Sequence, residues 1–227
     1  MPLSPRSFPA FSTASRLLIL LLASAWLSAC SSMYYGAMEK LGFEKRDILV
    51  DRVEDARDSQ NEAQETFRSS LERFQSVVDT PDTPLKEKYD EVRDAYEDSE
   101  ASAEEVRERI DEVEDVAEAL FDEWEDELDL YESQSLRRSS EQKLRDTRRH
   151  YDQLIGRMND AEQRMDPVLQ AFEDQMLFLK HNLNAQAIAS LESELGRIRQ
   201  DVDVLIREME DSIAESEAFI QRFRTGG

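Results

Sequence analysis

The chain has 227 residues, a formal charge of −23 and 35% charged side chains, with a single cysteine. A field of that sign repels nucleic acid and anionic head groups, so a nucleic-acid-binding role is excluded and the body is expected to stand off a lipid surface. One cysteine permits no intrachain disulfide and, with only two histidines, no structural zinc site.

The first charges are Arg6 and Arg16, and the next charge is Glu39. Between them runs Leu17 to Leu27, about eleven mostly apolar residues, enough for the core of a signal peptide and too short to cross a bilayer of ~30 Å as a helix. The run ends in Leu27-Ser28-Ala29-Cys30, which resembles a lipobox, the site where bacterial lipoproteins are lipidated on the cysteine and cleaved before it. Residues 1–29 are therefore read as a lipoprotein signal peptide and Cys30 as the lipidated residue. The resemblance implies several acyl chains, palmitate among them. Each buried methylene contributes about 0.8 kcal/mol, so the mature chain stays on its membrane. Ser31 in place of aspartate after the cysteine implies the outer membrane by the enteric sorting rule, with the body facing the periplasm. Loss of Arg6 and Arg16 with the signal leaves the mature chain two charges more negative.

Residues 30–46 form a lipid-proximal segment. Its Tyr34, Tyr35, Met38, Leu41 and Phe43 suit a membrane interface beside Lys40, Lys45 and Arg46, or equally a plug packed on Phe219 and Phe223.

From Phe43 to Thr225 the only glycines are Gly156 and Gly196 and the only prolines Pro81, Pro84 and Pro167, too few turn residues for a strand-rich fold. Apolar residues instead recur in alternating steps of three and four, the spacing of heptads. The first stripe is Leu49, Val53, Ala56, Gln60, Ala63, Phe67, Ser70, Phe74 and Val77, predicting a helix over 47–78. It meets Thr80-Pro81-Asp82-Thr83-Pro84, where Thr83 suits an N-cap and Pro84 the first helical position.

The second helix, 84–131, carries Leu85, Tyr89, Val92, Tyr96, Ser99, Ala103, Val106, Ile110, Val113, Ala117, Leu120 and Trp124. At 1.5 Å per residue it is a rod of roughly 70 Å. A reversal through Glu132 to Ser135 is expected next. The third helix, 136–182, carries Leu136, Ser140, Leu144, Thr147, Tyr151, Leu154, Met158, Ala161 and Met165. It is expected to bend without reversing at Pro167, with Asp166 as the new cap. A turn at His181 to Asn184 leads to the fourth helix, 185–223, from Ile188 and Leu191 through Phe219 and Phe223. The fold class predicted is all-α, an elongated antiparallel bundle with coiled-coil-like packing. Heptad faces are satisfied within or between chains, so oligomeric state stays open.

Charge supports one pairing. The stretch from Asp82 to Glu132 is heavily acidic, with no base between Arg109 and Arg137. Then come Arg137, Arg138, Lys143, Arg145, Arg148 and Arg149. A hairpin would set these beside Glu118, Asp122, Glu125, Asp126 and Asp129, selecting register more than stabilising.

No chemistry-bearing constellation emerges. The inward Glu-x-x-His pairs of a di-iron bundle are missing, since Thr147 and Phe178 stand three residues before His150 and His181. The acidic run Asp122 to Asp129 lacks the glycine of an EF-hand loop. No serine is marked as lying in a strained turn beside a histidine base. The chain reads as nonenzymatic, without cofactor or metal.

One further segment stands out, Met176 to Ala185. It is either a turn, with Asn182 left-handed and Asn184 capping the last helix, or a partner-contact site using Lys180, His181, Asn182 and Asn184. Counting helices outward from the lipid places this turn at the remote end of the rod.

The stretches Lys45 to Val53 and Leu179 to Ala185, with the lipobox, resemble a proteobacterial lipoprotein family of unknown function, domain of unknown function 2959. That resemblance supplies no activity, ligand or catalytic residue. The function expected is a periplasm-facing scaffold or adaptor on an unidentified envelope protein. A chaperone-like or regulatory binder is the alternative, and an enzyme a distant third. A contiguous apolar groove would favour the binder; a sealed heptad core would favour the scaffold.

Overall fold

A computed structural model describes residues 45–80, 83–182 and 185–225. By contact the chain divides into two units, Met1–Lys45 and Arg46–Gly227, and the described helices, apart from Lys45 at the start of the first, belong to the second. The signal peptide, Cys30, most of the lipid-proximal segment and Asn184 lie outside the described residues.

Among the described residues there are five helices and no strand: α1 (Lys45–Asp79), α2 (Leu85–Leu128), α3 (Gln134–Gln163), α4 (Met165–His181) and α5 (Ala185–Arg224). α3 and α4 are one broken rod, since both pack on α2 and both on α5. The architecture is therefore an all-α, four-rod antiparallel bundle.

Pairs along the seams set the register. Arg46 donates to the Phe223 carbonyl at 2.5 Å, Arg224 meets Glu54 at 2.6 Å and Arg68 meets Glu210 at 3.4 Å, so α5 runs antiparallel to α1. On the other side Ser70 donates to the Ala95 carbonyl at 2.9 Å and Arg73 meets Asp98 at 2.7 Å, which pairs α1 with α2. Across the diagonal, Phe172 of α4 stacks on Phe74 with ring centroids 4.4 Å apart and on Phe67 at 6.4 Å.

Every stripe residue predicted on α1 is buried. The apolar ones are held by the hydrophobic effect, each large side chain gaining about 1.5–3 kcal/mol on burial. The stripe also carries polar groups inward. Gln60 is fully buried with neither side-chain atom bonded, and the Gln64 amide nitrogen and the Ser212 hydroxyl are likewise unpartnered.

Four local expectations are corrected. Thr83 does not cap α2: the N-cap is Pro84, without a side-chain cap bond, and the Thr83 N–H instead donates to the Thr80 carbonyl at 3.3 Å. The break in the third rod lies at Arg164, upstream of Pro167. Proline has no N–H and its ring crowds the carbonyl four residues earlier, here Gln163, so the ladder fails there first. Nor is Asp166 the cap; it accepts from Arg107 of α2 at 2.7 Å, while the same guanidinium meets Glu162 at 2.9 Å. One arginine thus clasps both sides of the break. Finally, Asn182 ends α4 at φ −131°, outside the left-handed region.

At the α1–α2 corner, Lys88 is buried although charged, and its ammonium donates to the Val77 carbonyl at 2.5 Å. It meets a carbonyl in the last turn of α1, where a cation is favoured by the helix dipole.

Candidate functional site

The turn singled out in the sequence lies at the end of the bundle that also holds the α1–α2 corner, opposite the α2–α3 reversal. Lys180 and His181 occupy the last turn of α4 and are exposed. Asn182 is tied into the helix end: its backbone N–H bonds the Phe178 and Leu179 carbonyls at 3.0 and 3.2 Å, and its side-chain amide donates to the Phe178 carbonyl at 3.0 Å. Asn182 is therefore committed to the cap, while Lys180 and His181 face outward. Two residues that sequence reasoning missed join them. Leu177 and Phe178 are each 39% exposed, forming an apolar pair beside two basic side chains on a strongly acidic molecule. Their signal was present, because both fall off the stripe formed by Val168, Phe172 and Leu179.

The α2–α3 reversal is the second exposed region. α2 ends at Leu128 and α3 begins at Gln134, where the Ser133 hydroxyl accepts the Leu136 N–H at 3.5 Å. Leu136, predicted on the inner stripe, is exposed together with Leu130 and Tyr131. Of the bases expected to reach back to α2, Arg137 meets Asp129 at 2.9 Å and Arg148 meets Glu125. Arg149 instead pairs with Asp146 on its own helix, and Arg138 donates to the Gln134 carbonyl at 3.2 Å.

Behind the reversal, Trp124 donates to the Ser140 hydroxyl at 2.8 Å, and Phe121 meets Tyr151 edge-on at 5.4 Å. Burial, with Glu114, Asp152 and Glu118 nearby, pushes the Tyr151 phenol above its ordinary range. The Tyr96 phenol is pushed up to about 12, first by burial and then by its bond to Glu100.

The clefts are polar or mixed; that of about 340 Å³ between α1 and α5 sets Leu71, Val202 and Ile206 among charged side chains. One of about 430 Å³ is lined by Arg157, Asp160, Gln163, Arg164 and Glu208. Another, of about 360 Å³, has Ser69, Arg73, Thr80, Thr83 and Lys88 among its lining residues. Neither brings together a nucleophile, a base and an oxyanion donor. Among the described residues no three histidine, cysteine or carboxylate side chains converge as metal ligands, and no helix is long and apolar enough to cross a membrane.

Fold and surface together define an all-α helical-bundle protein in which, among the described residues, the exposed large apolar side chains sit at the two ends of the bundle. Residues 34–223 match the family described as protein of unknown function, DUF2959, and the chain belongs to that family. No curated protein and no solved structure matches it.

Proposed function

We propose that this chain is a lipid-anchored envelope protein, attached through Cys30 to the outer membrane and facing the periplasm, whose bundle serves as a nonenzymatic scaffold or adaptor. The observation that carries this reading is the closure of the bundle. Stripe residues such as Leu49, Val53, Phe67, Leu154, Leu191 and Leu205 are fully shielded, so among the described residues the core is closed to a client, and the surface cleft at Leu71, Val202 and Ile206 is rimmed by charges such as Arg68 and Glu210. Contacts are left to the ends, and Leu177, Phe178, Lys180 and His181 form the surface for a partner that presents acidic and apolar groups. Anchor chemistry follows from Leu27-Ser28-Ala29-Cys30.

A chaperone-like binder is the second reading, and the unbonded amides of Gln60 and Gln64 inside the core favour it, because they lower the cost of parting the helices. Crosslinking in intact cells separates the two. A photo-crosslinker at Phe178 or His181 should capture a discrete species that one at Lys45 does not, and Lys180→Ala with His181→Ala should remove it without changing helicity. Capture only from core positions such as Phe67 would select the binder instead. Cys30→Ala should abolish labelling with palmitate, and continued labelling would sink the anchor.

A further inference from the structure

We propose that the tip of the α2–α3 hairpin, Leu130, Tyr131 and Leu136, is a second membrane contact that seats on an uncharged, zwitterionic phospholipid surface. The proposal rests on lipidation at Cys30 and adds a contact made by the bundle itself.

Position comes first. Arg52, in the second turn of α1, lies against Glu112 of α2 at 3.4 Å. Moving back to Arg46 brings α1 level with about residue 118, so α2 outruns the start of α1 by about ten residues, or ~15 Å. α5 reaches no further, because its Phe223 carbonyl accepts from Arg46 and its last residue, Arg224, pairs with Glu54. Among the described residues, two of the four rods end while α2 and α3 continue. This two-helix spur projects from the end at which the polypeptide arrives from Cys30. The intervening fifteen or so residues span at most ~50 Å even fully extended, which keeps the spur within reach of the anchored surface.

Chemistry comes second. Leu130 is 78% exposed, Leu136 58% and Tyr131 41%. These are three of the five large apolar side chains exposed among the described residues, gathered within seven positions at one extremity. Leucines flanking a tyrosine, whose ring is apolar and whose hydroxyl is polar, suit the boundary between acyl chains and head groups. The neighbouring charges identify the lipid. Arg137 is engaged by Asp129 and Glu141, while Asp126, Glu127 and Glu132 stand exposed around the tip. Arg138, bonded only to the Gln134 carbonyl, is the other base here, so carboxylates outnumber bases at the tip and the balance of charge opposes anionic lipid. Three side chains bind weakly alone, but the anchor makes the event intramolecular, where a weak contact suffices. A second copy is a poorer occupant, because tip-to-tip pairing would set these carboxylates against their own kind. Under this proposal the acidic body stands off the lipid except at this tip.

The test uses the full lipidated chain in phosphatidylcholine vesicles. An environment-sensitive fluorophore is placed at the turn by Ser135→Cys, or at the far end by Lys180→Cys, and nitroxide-bearing lipid is the quencher. Quenching at 135 should exceed that at 180 several-fold and should fall to the level at 180 in a Leu130→Ser, Tyr131→Ser, Leu136→Ser variant that still floats with vesicles. Added phosphatidylglycerol should weaken the signal and added salt restore it. If the triple variant loses helicity, Leu130→Ser alone, which lies outside both helices and keeps its backbone bond to the Glu127 carbonyl, should still lower the quenching measurably. Equal quenching at 135 and 180 in a floating protein overturns the tip contact and leaves the anchor standing. A chain that does not float overturns both. Crosslinking of tips to one another without lipid would assign the surface to a second copy, and that too overturns the proposal.

Discussion

The four-rod body and the two-helix spur are built from the same heptad alphabet yet held by different forces. In the body, Phe67, Phe74 and Phe172 stack with essentially no exposure, and each rod is flanked by two others. In the spur, residues 125–139 are exposed apart from the half-buried Leu128. Near its base the spur buries Leu120, Phe121 and Leu144, and toward the tip what joins the helices is the Trp124–Ser140 bond and ion pairs at the surface. A heptad stripe buries its side chains only where enough neighbours surround it. Two helices shield one narrow seam, and the charges beside that seam choose its register rather than supply its stability.

The sharpest way to break this contrast is to remove one aromatic ring from the body. Phe172→Ala should cost about 3–5 kcal/mol in urea unfolding, whereas Leu136→Ala at the tip should stay within ~0.5 kcal/mol. Comparable losses would mean that the spur is as tightly packed as the body.

An opposite change sharpens it. Replacing the unbonded amide by Gln60→Leu should raise stability by about 1–3 kcal/mol, because each unsatisfied buried polar group carries a penalty of that order. A lower melting temperature would show that the amide has a use in the folded protein.

Between the two regions stands Tyr151, whose raised pKa gives a signed pH dependence. The phenol ionises more readily in the unfolded chain, near 10.0. Its contribution is therefore complete below that pH and is lost as pH rises toward the folded value. Tyr96 acts in the same direction at about 12. Urea midpoints should fall less steeply above pH 10 in Tyr151→Phe than in the parent; parallel curves would remove Tyr151 from the account.

The smallest effect belongs to the surface charges. Arg148→Ala removes the pair with Glu125 and the contact over the Phe121 ring at 5.0 Å, and should cost about 0–1 kcal/mol. Half-molar salt should erase most of the difference, and a salt-independent loss would point to packing instead.

Fold class and rod order were legible because the spacing of Leu49, Val53, Ala56 and their successors reports a buried face directly. Lys88 was not. A heptad reading chooses the neighbouring Tyr89, since nothing local reveals that the lysine amine will find a carbonyl on another helix. Nor does stripe regularity tell how many rods surround a given turn, so Leu136 reads as core although it is exposed. Helix length did carry that information: a second helix some fifteen residues longer than the first must outrun it. Leu177 and Phe178 were visible as apolar residues out of step with the stripe, but only the packing of α4 shows which face they occupy.

The lysines at the start of α2 also supply an internal clock. Lys86 is 80% exposed and holds only a surface pair with Asp90, whereas Lys88, two residues on, is 2% exposed with its amine against the Val77 carbonyl. An acylating reagent reads the first at once and the second only when the α1–α2 corner opens. The ratio of the two reaction rates within one peptide therefore reports how often this end of the rod comes apart. A partner seated beside it would register as a slowing at Lys88 alone.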